Sequence, residues 1–435
     1  MATFASKFRS NMTTNSVNSD TQETPKVAKV PEWITVELFE SLMRKNVAGF
    51  KKITDFKAFP AMAAGENYAT LMLTVKINAE VEDAKPKSLS YMMKVPLDNE
   101  FFRQMMAVNN IFDVEKTMYL DVVPEMEQMY RDAGVDVKFG AQCYQFEKDV
   151  DSDYILLEDL RPRGFKNTNR LEGQDMEHVQ CVLKKMAQWH AATATRVERK
   201  GNYADNIMNG LYVEKNRPIL KELFAGLEKP LLECMKTYKG YDVYGEIVKL
   251  QAQLSDLFYT LSKYDPNEFN VLNHGDCWSN NIMFQYDAFG KIKETYFVDY
   301  QMPKFGTPAQ DLFYFLISSS KLEVKLKNFD YFIKFYHDHL VENLKLLKYS
   351  KKIPTLKEIH ALLYKYGLWG YATCTGVMSI VLLDPSENSK AENFTNQDET
   401  ATDFKKLMYS NPRYCKHMDA IMPWLHNRGA LDYAI

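Results

Sequence analysis

The chain has 435 residues, enough for more than one core at roughly 100–200 residues per domain. Its 54 basic and 57 acidic residues leave a net charge of −3, so no global field marks a nucleic-acid partner, and none is expected. The six cysteines, at 143, 181, 234, 277, 374 and 415, contain no Cys-x-x-Cys pair, which argues against a zinc site or a small disulfide scaffold and predicts reduced, mostly buried thiols.

Residues 1–27 are polar, rich in Ser, Thr and Asn and without periodicity, the composition of a disordered segment. They hold no apolar signal core, and no run anywhere approaches the ~20 apolar residues of a membrane span, so a cytoplasmic protein with no span is expected. Order begins near Trp33, where Trp33, Leu38, Phe39 and Leu42 fall at near-helical spacing, and Lys51 to Phe59 reads as a first strand. From Tyr68 to Ala79 the pattern alternates strictly, with Leu71, Leu73, Val75 and Ile77 on one face and Thr74, Lys76 and Asn78 on the other, as in an antiparallel strand with one wet face. Residues 81–87 form a hairpin and Leu89 to Val95 return.

Just before the alternating strand, small side chains at Ala63, Ala64 and Gly65 allow the backbone of Gly65, Glu66 and Asn67 to approach nucleotide phosphates. A plain turn is the simpler reading of that segment, since neither a Walker A motif nor a full glycine-rich repeat occurs. Lys94, at the end of the return strand, lies at the spacing that sets an ammonium over such phosphates. Met92, Met93, Val95 and Pro96 bury its stem, and a buried ammonium needs a charge partner. Glu115 is the candidate, on a helix face shared with Phe112 and Tyr119, although a solvated glutamate is a rival reading. Residues 143 to 160 read as two more strands, turning at Asp149-Val150-Asp151-Ser152-Asp153. Beyond them Val179, Val182, Leu183, Met186, Trp189 and His190 form the core stripe of a helix, with His190 a hydrogen-bonded buried histidine.

Residues 271–311 carry the chemistry. Val271 to Asn273 is a short strand, His274-Gly275-Asp276 a turn, and Ile282 to Gln285 a second strand. Residues 286–290 then turn, and Thr295 to Val298 run apolar into Asp299. Asp276, Asn281 and Asp299 should therefore meet around one hairpin. Phosphoryl transfer leaves an enzyme little covalent work: it needs a base to orient the attacking hydroxyl and hard oxygen ligands for magnesium. Asp276 is the candidate base, and Asn281 and Asp299 the candidate magnesium ligands. A turn cap or a strand end explains any one of these residues alone. The ordered set points to a kinase using ATP and Mg2+.

The run His274-Gly275-Asp276-Cys277-Trp278-Ser279-Asn280-Asn281-Ile282-Met283-Phe284, followed by Val298-Asp299-Tyr300-Gln301 and Gly306-Thr307-Pro308-Ala309-Gln310-Asp311-Leu312, closely resembles the insect ecdysteroid kinase-like family. More distantly it resembles choline kinases and aminoglycoside phosphotransferases. The resemblance spans roughly residues 30–425. It implies an α+β, two-lobed protein-kinase-like fold, with a small antiparallel-sheet N-lobe over residues 28–158 that binds nucleotide, and a larger, mostly helical C-lobe over residues 159–435 that carries the catalytic loop and the acceptor site. It also implies that Asp311 steadies the loop, that Glu115 pairs with Lys94, and that the backbone of Glu158, Asp159 and Leu160 forms a hinge against adenine. Cys277 stands where leucine is commoner, and Tyr300-Gln301 replaces the Phe-Gly of protein kinases.

The implied activity is ATP-dependent phosphorylation of a small-molecule alcohol, favouring an ecdysteroid or related steroid. The alternative is a catalytically inactive relative that binds a lipophilic ligand or a protein partner. The acceptor site itself is ambiguous. Tyr364, Tyr366, Leu368, Trp369, Tyr371 and Met378 suit a pocket for a bulky apolar alcohol, an aromatic cage for a quaternary ammonium, or plain core, and core is the first reading for any one of them. Residues 385–402 read as an exposed loop.

Overall fold

The computed structural model describes residues 29–61, 70–82, 85–96, 110–239, 241–385, 393, 396 and 398–433. The polar N-terminal segment, Gly65, Glu66 and Asn67, and most of residues 386–397 lie outside the described residues; the rest of the expected 385–402 loop is corrected at its end, where residues 399–402 are helical and Ala401 is buried.

Helix α1 (Val36–Asn46) turns Leu38, Phe39, Leu42 and Met43 inward. These side chains pack on a five-stranded antiparallel sheet of order β1-β2-β3-β5-β4, built from β1 (Phe50–Pro60), β2 (Thr70–Val81), β3 (Lys87–Pro96), β4 (Cys143–Tyr144) and β5 (Ile155–Glu158). Period-two alternation in β2 sends Leu73, Val75, Ile77 and Ala79 into this small core, joined by Tyr91, Met93, Phe146 and Leu156. The expected wet face is covered at one point: Thr74 is buried because the Arg161 guanidinium donates to its hydroxyl at 3.0 Å, beside the Met92 sulfur. In register, Lys94 lies between Met72 and Ile155 at the centre of the sheet.

Helix α2 (Ile111–Thr117) runs through a π-helical turn at Met118–Val122 into α3 (Val123–Asp132). Its inward side chains belong to the larger core, with the Tyr130 hydroxyl 2.9 Å from both Gln188 O and Asn343 Oδ1, which share its one hydrogen. Helix α4 (Met176–Lys200) is the spine of that core. It starts at Asp175, whose carboxylate caps the His178 amide, and it buries Val179, Val182, Leu183, Met186, Trp189 and His190. Around it stand α5 (Asp205–Asn209), α6 (Arg217–Met235) and α7 (Tyr244–Leu261). A three-stranded sheet of β6 (Phe165–Lys166), β8 (Ile282–Tyr286) and β9 (Ile292–Phe297) and a pair formed by β7 (Val271–Asn273) and β10 (Lys304–Gly306) follow. Helices α8 (Ala309–Ser319), α9 (Leu322–Lys325), α10 (Phe329–Leu346), α11 (Leu356–Lys365), α12 (Leu368–Thr375), α13 (Val377–Val381), α14 (Glu399–Ser410) and α15 (Pro412–His426) complete the lobe. The C-terminal helices are part of its core: Tyr409 and Tyr414 are fully buried and donate to the Thr375 and Cys374 carbonyls.

All six cysteines are free; Cys277 and Cys374 are buried, and the other four are half-buried, a smaller buried share than expected. Among the described residues no helix is long and apolar enough to cross a membrane.

One buried cation has a stability consequence. Lys325 is fully buried, donates to the Ile317 carbonyl in the last turn of α8 and meets His417 Nδ1 at 3.2 Å. Burial pushes its ammonium down to about 7 and, with the Lys325 charge, pushes His417 down to about 2. Between about pH 7 and the unfolded lysine value of about 10.4 the unfolded chain holds a proton that the folded one has released, so stability rises with pH across that window. Lys325→Met is expected to flatten that rise in thermal unfolding midpoint. An unchanged slope in a pH series of melts would contradict the assignment.

Candidate active site

The pairing of β7 with β10, in the register Asn273 opposite Lys304, sets the start of a tight loop. Asn273 is fully buried and its amide donates to Lys304 O at 3.1 Å and Thr307 O at 3.2 Å. The chain then turns at Gly275 with φ +82°, and a Cβ built there would stand 1.8 Å from Met302 O. Only glycine allows the two backbones so close. Asp311, buried near the start of α8, accepts from His274 N at 2.7 Å and Gly275 N at 2.9 Å. His190 Nε2 lies 3.2 Å from the same carboxylate while its Nδ1 meets Tyr336 OH at 2.8 Å. The expected buried histidine thus braces the loop from behind. His274 is buried, which pushes its imidazole below the ordinary histidine range, and its Nε2 reaches Val298 O at 3.1 Å. It therefore ties the loop to the strand end that precedes Asp299.

Asp276 follows. Asn281 Nδ2 donates at 2.9 Å to both its carbonyl and its Oδ2, and Tyr314 OH on α8 donates to Oδ1 at 2.5 Å. Burial pushes this carboxyl up to about 7, and the Asp299 charge adds to that; the Tyr314 and Asn281 hydrogen bonds and Lys94 oppose it. Because the Asn281 nitrogen is spent on Asp276, its Oδ1 is left without a protein donor among the described residues.

Asp299 stands at the end of the hairpin with φ +66°, a left-handed backbone that a side chain adopts only under constraint. The constraint is visible: its amide donates to Tyr119 OH at 3.0 Å, and its Oδ1 meets Lys94 Nζ at 2.8 Å. Lys94 also donates to Glu115 Oε2 at 2.7 Å and Gln301 Oε1 at 3.2 Å, which uses all three ammonium hydrogens. Burial works against this charge, but Asp299 and Glu115 outweigh it and hold Lys94 above the ordinary lysine value. Burial raises the Glu115 carboxyl in turn, opposed by the ammonium beside it. The π-turn carries Tyr119, so one continuous helix supplies Glu115 to the small lobe's lysine and Tyr119 to the large lobe's aspartate.

The structure thus brings Lys94, Glu115 and Asp299 into direct contact, and Asp276 and Asn281 into contact beside them. At the segment expected to form the hinge, Glu158 closes β5 and its carboxylate is held by Arg163 Nη1 at 3.0 and 3.1 Å. The Glu158 and Asp159 amides already donate to Gln142 O at 2.8 Å and Ser90 O at 3.2 Å. The Asp159 carboxylate is engaged by Ser90 and Arg161. Of the amides of Glu158, Asp159 and Leu160, only that of Leu160 has no acceptor among the described residues.

The aromatic stretch divides. Tyr366, Leu368, Trp369, Tyr371 and Met378 are core, with Tyr366 OH on Glu268 at 2.7 Å and Tyr371 OH on Gln251 at 2.8 Å, while Tyr364 faces solvent. The sequence assigned no site contact to Tyr314, Tyr119 or Gln301, although Tyr119 falls on the Glu115 helix face and Gln301 follows Asp299 by two. Tyr314 was readable in one respect: it lies three residues after Asp311, on the same helix face.

Magnesium takes oxygen ligands and keeps several of its waters. Asp299 and Asn281 Oδ1 are donors of that kind, so the residues fit the ion. Among the described residues no three His, Cys, Asp or Glu side chains gather at one point, which leaves the rest of such a shell to water and ligand oxygens.

An antiparallel sheet packed over a helical lobe, with a lysine–glutamate pair and two loop aspartates at their junction, defines a two-lobed α+β kinase-like protein. The profile of the ecdysteroid kinase-like family matches residues 64–349, and the chain belongs to that family, one of small-molecule kinase type. Among solved structures, the chain is similar to an ethanolamine kinase of Plasmodium vivax with a TM-score of 0.41 and 11% identity, over 82% of this chain and 81% of that one. That likeness is too loose to bear on chemistry. No curated protein matches the chain by sequence.

Proposed function

We propose that this protein is an ATP-dependent O-kinase that phosphorylates a hydroxyl of a lipophilic alcohol, an ecdysteroid or a related steroid. The observation that carries the reading is the single contact set of Lys94, Glu115 and Asp299, joining the small lobe to the loop that holds Asp276 and Asn281. Family membership supports the steroid class. In this reading residues 28–158 hold the nucleotide and residues 159–435 the acceptor.

Asp276 accepts the proton of the acceptor hydroxyl as its oxygen attacks the γ-phosphorus and the bond to the bridging oxygen breaks. Lys94 meets the phosphates, and the Leu160 N–H is the hinge donor toward adenine. Asn281 and Asp299 hold magnesium, which when bound neutralises charge on the phosphate oxygens. Asp311, with His190 behind it, holds the amides of His274 and Gly275 so that Asp276 keeps its place. The six free thiols favour a reducing, cytoplasmic setting.

The test is thermal unfolding with magnesium-ATP against magnesium alone, with Asp299→Asn alongside. A ligand present at 100 times its Kd stabilises by about 2.7 kcal/mol. Wild type is expected to gain a magnesium-dependent rise in Tm, and Asp299→Asn to lose most of it, each rise being read against that protein's own ligand-free Tm. An equal rise in the variant would remove Asp299 from the metal site. No rise in wild type at saturating nucleotide would remove the kinase reading and favour a non-catalytic binder of lipophilic ligands.

A further inference from the structure

We infer that Tyr314 is a positioning residue for Asp276, its phenol fixing the rotation of the carboxylate; the inference rests on the kinase reading above. Helix α8 touches three consecutive loop residues. Asp311 takes the amides of His274 and Gly275, and Tyr314, one turn further along the same face, donates to Asp276 Oδ1 at 2.5 Å. Further along the helix, Ser319 Oγ accepts from Ser279 N at 3.0 Å. The loop is therefore held against one rigid element at 274, 275, 276 and 279.

The contact at 276 differs from the others in kind. Asp311 and Ser319 hold backbone, and backbone contacts leave an aspartate side chain free to rotate about its last torsion, which is a broad well. Asn281 Nδ2 pins Oδ2 from the loop side. Tyr314 pins Oδ1 from the helix side, and two donors on separate elements fix the plane of the carboxylate. A hydroxyl donating to an ionised carboxylate forms a short, charge-assisted bond, and 2.5 Å is at that short end. Ser318 Oγ, donating to Tyr314 O at 2.6 Å, ties the same helical turn together. With one donor on each oxygen, one lone pair remains on each, and the directions of both are set by the fixed plane of the carboxylate. Proton transfer to a positioned group is steep in geometry: a misplacement of about 1 Å costs on the order of 100-fold in rate.

The experiment compares full-length wild type, Tyr314→Phe and Asp276→Asn in steady-state turnover of magnesium-ATP, with water and then a panel of steroid alcohols as acceptors. Phenylalanine keeps the ring and removes the donor alone. Tyr314→Phe is expected to lower kcat by about 10- to 100-fold with KM for magnesium-ATP unchanged and only the modest fall in Tm that one lost hydrogen bond brings. In parallel, the far-downfield proton resonance of a short hydroxyl–carboxylate bond is expected in wild type and absent from both variants. Wild-type kcat in Tyr314→Phe, or a fall in Tm with kcat and KM moving together, overturns the inference. A wild type that binds and turns over no ATP overturns the kinase reading and this inference with it. An active wild type with an indifferent Tyr314→Phe overturns this inference alone.

Discussion

Asp276→Ala is expected to lower kcat by about 100- to 10,000-fold, the usual contribution of a general base, while leaving affinity for magnesium-ATP nearly intact. The separation of the two effects follows from where the residue stands. Asp276 is held by Asn281 and Tyr314 on the large-lobe side, whereas the hinge and Lys94 are reached from the sheet. Alanine also leaves the Tyr314 hydroxyl without its acceptor, so Asp276→Asn, which keeps an oxygen for that hydroxyl, is the cleaner companion. Steady-state rates of the two variants against nucleotide concentration check the claim. A wild-type kcat in both would move the base elsewhere.

The second large effect belongs to a residue with no side chain. Gly275→Ala is expected to cost about 3 kcal/mol or more of stability and to bring turnover to background. Two costs add: a left-handed backbone at φ +82°, and a methyl carbon placed 1.8 Å from the Met302 carbonyl oxygen. Neither backbone can yield cheaply. His274 N and Gly275 N are fixed to the Asp311 carboxylate, and Met302 follows the Asp299–Gln301 segment bound to Lys94. Relief therefore means moving one of the two aspartate loops. Thermal unfolding together with turnover checks this, and a variant that melts and works like wild type would refute it.

The parts of the site that were legible in the sequence are those fixed by nearby residues. The hairpin that carries Asn281 and Asp299 follows from local alternation and a turn: its first strand is placed to within one residue, while the second begins at Ile292, three residues before the apolar run that marks its end. Lys94 was legible because its flanks are apolar, which made a partner necessary and Glu115 the nearest candidate on a suitable helix face. The contacts that escaped join residues far apart in the chain. Tyr119 meets Asp299 across 180 positions and Tyr314 meets Asp276 across 38, and no local pattern encodes such meetings. Thr74 escaped for a similar reason: its place on the polar face was read correctly, but Arg161, 87 positions away, covers that face. The aromatic run near residue 370 shows the limit of composition. Tyr371 and Tyr366 have the chemistry of pocket walls, and only their burial and their hydrogen bonds to Gln251 and Glu268 assign them to the core.

Lys94 is already saturated, its three hydrogens taken by Glu115, Asp299 and Gln301. An anion that approaches it must therefore displace a partner rather than fill a vacancy, and binding there is an exchange reaction whose driving force is a difference between two good contacts. The displaced carboxylate of Asp299, left beside Asp276, would be one of two neighbouring negative charges. A dication arriving with the anion relieves that repulsion at the same moment. Anion and dication thus favour each other's entry, by a cooperativity already present in the resting contacts of one lysine.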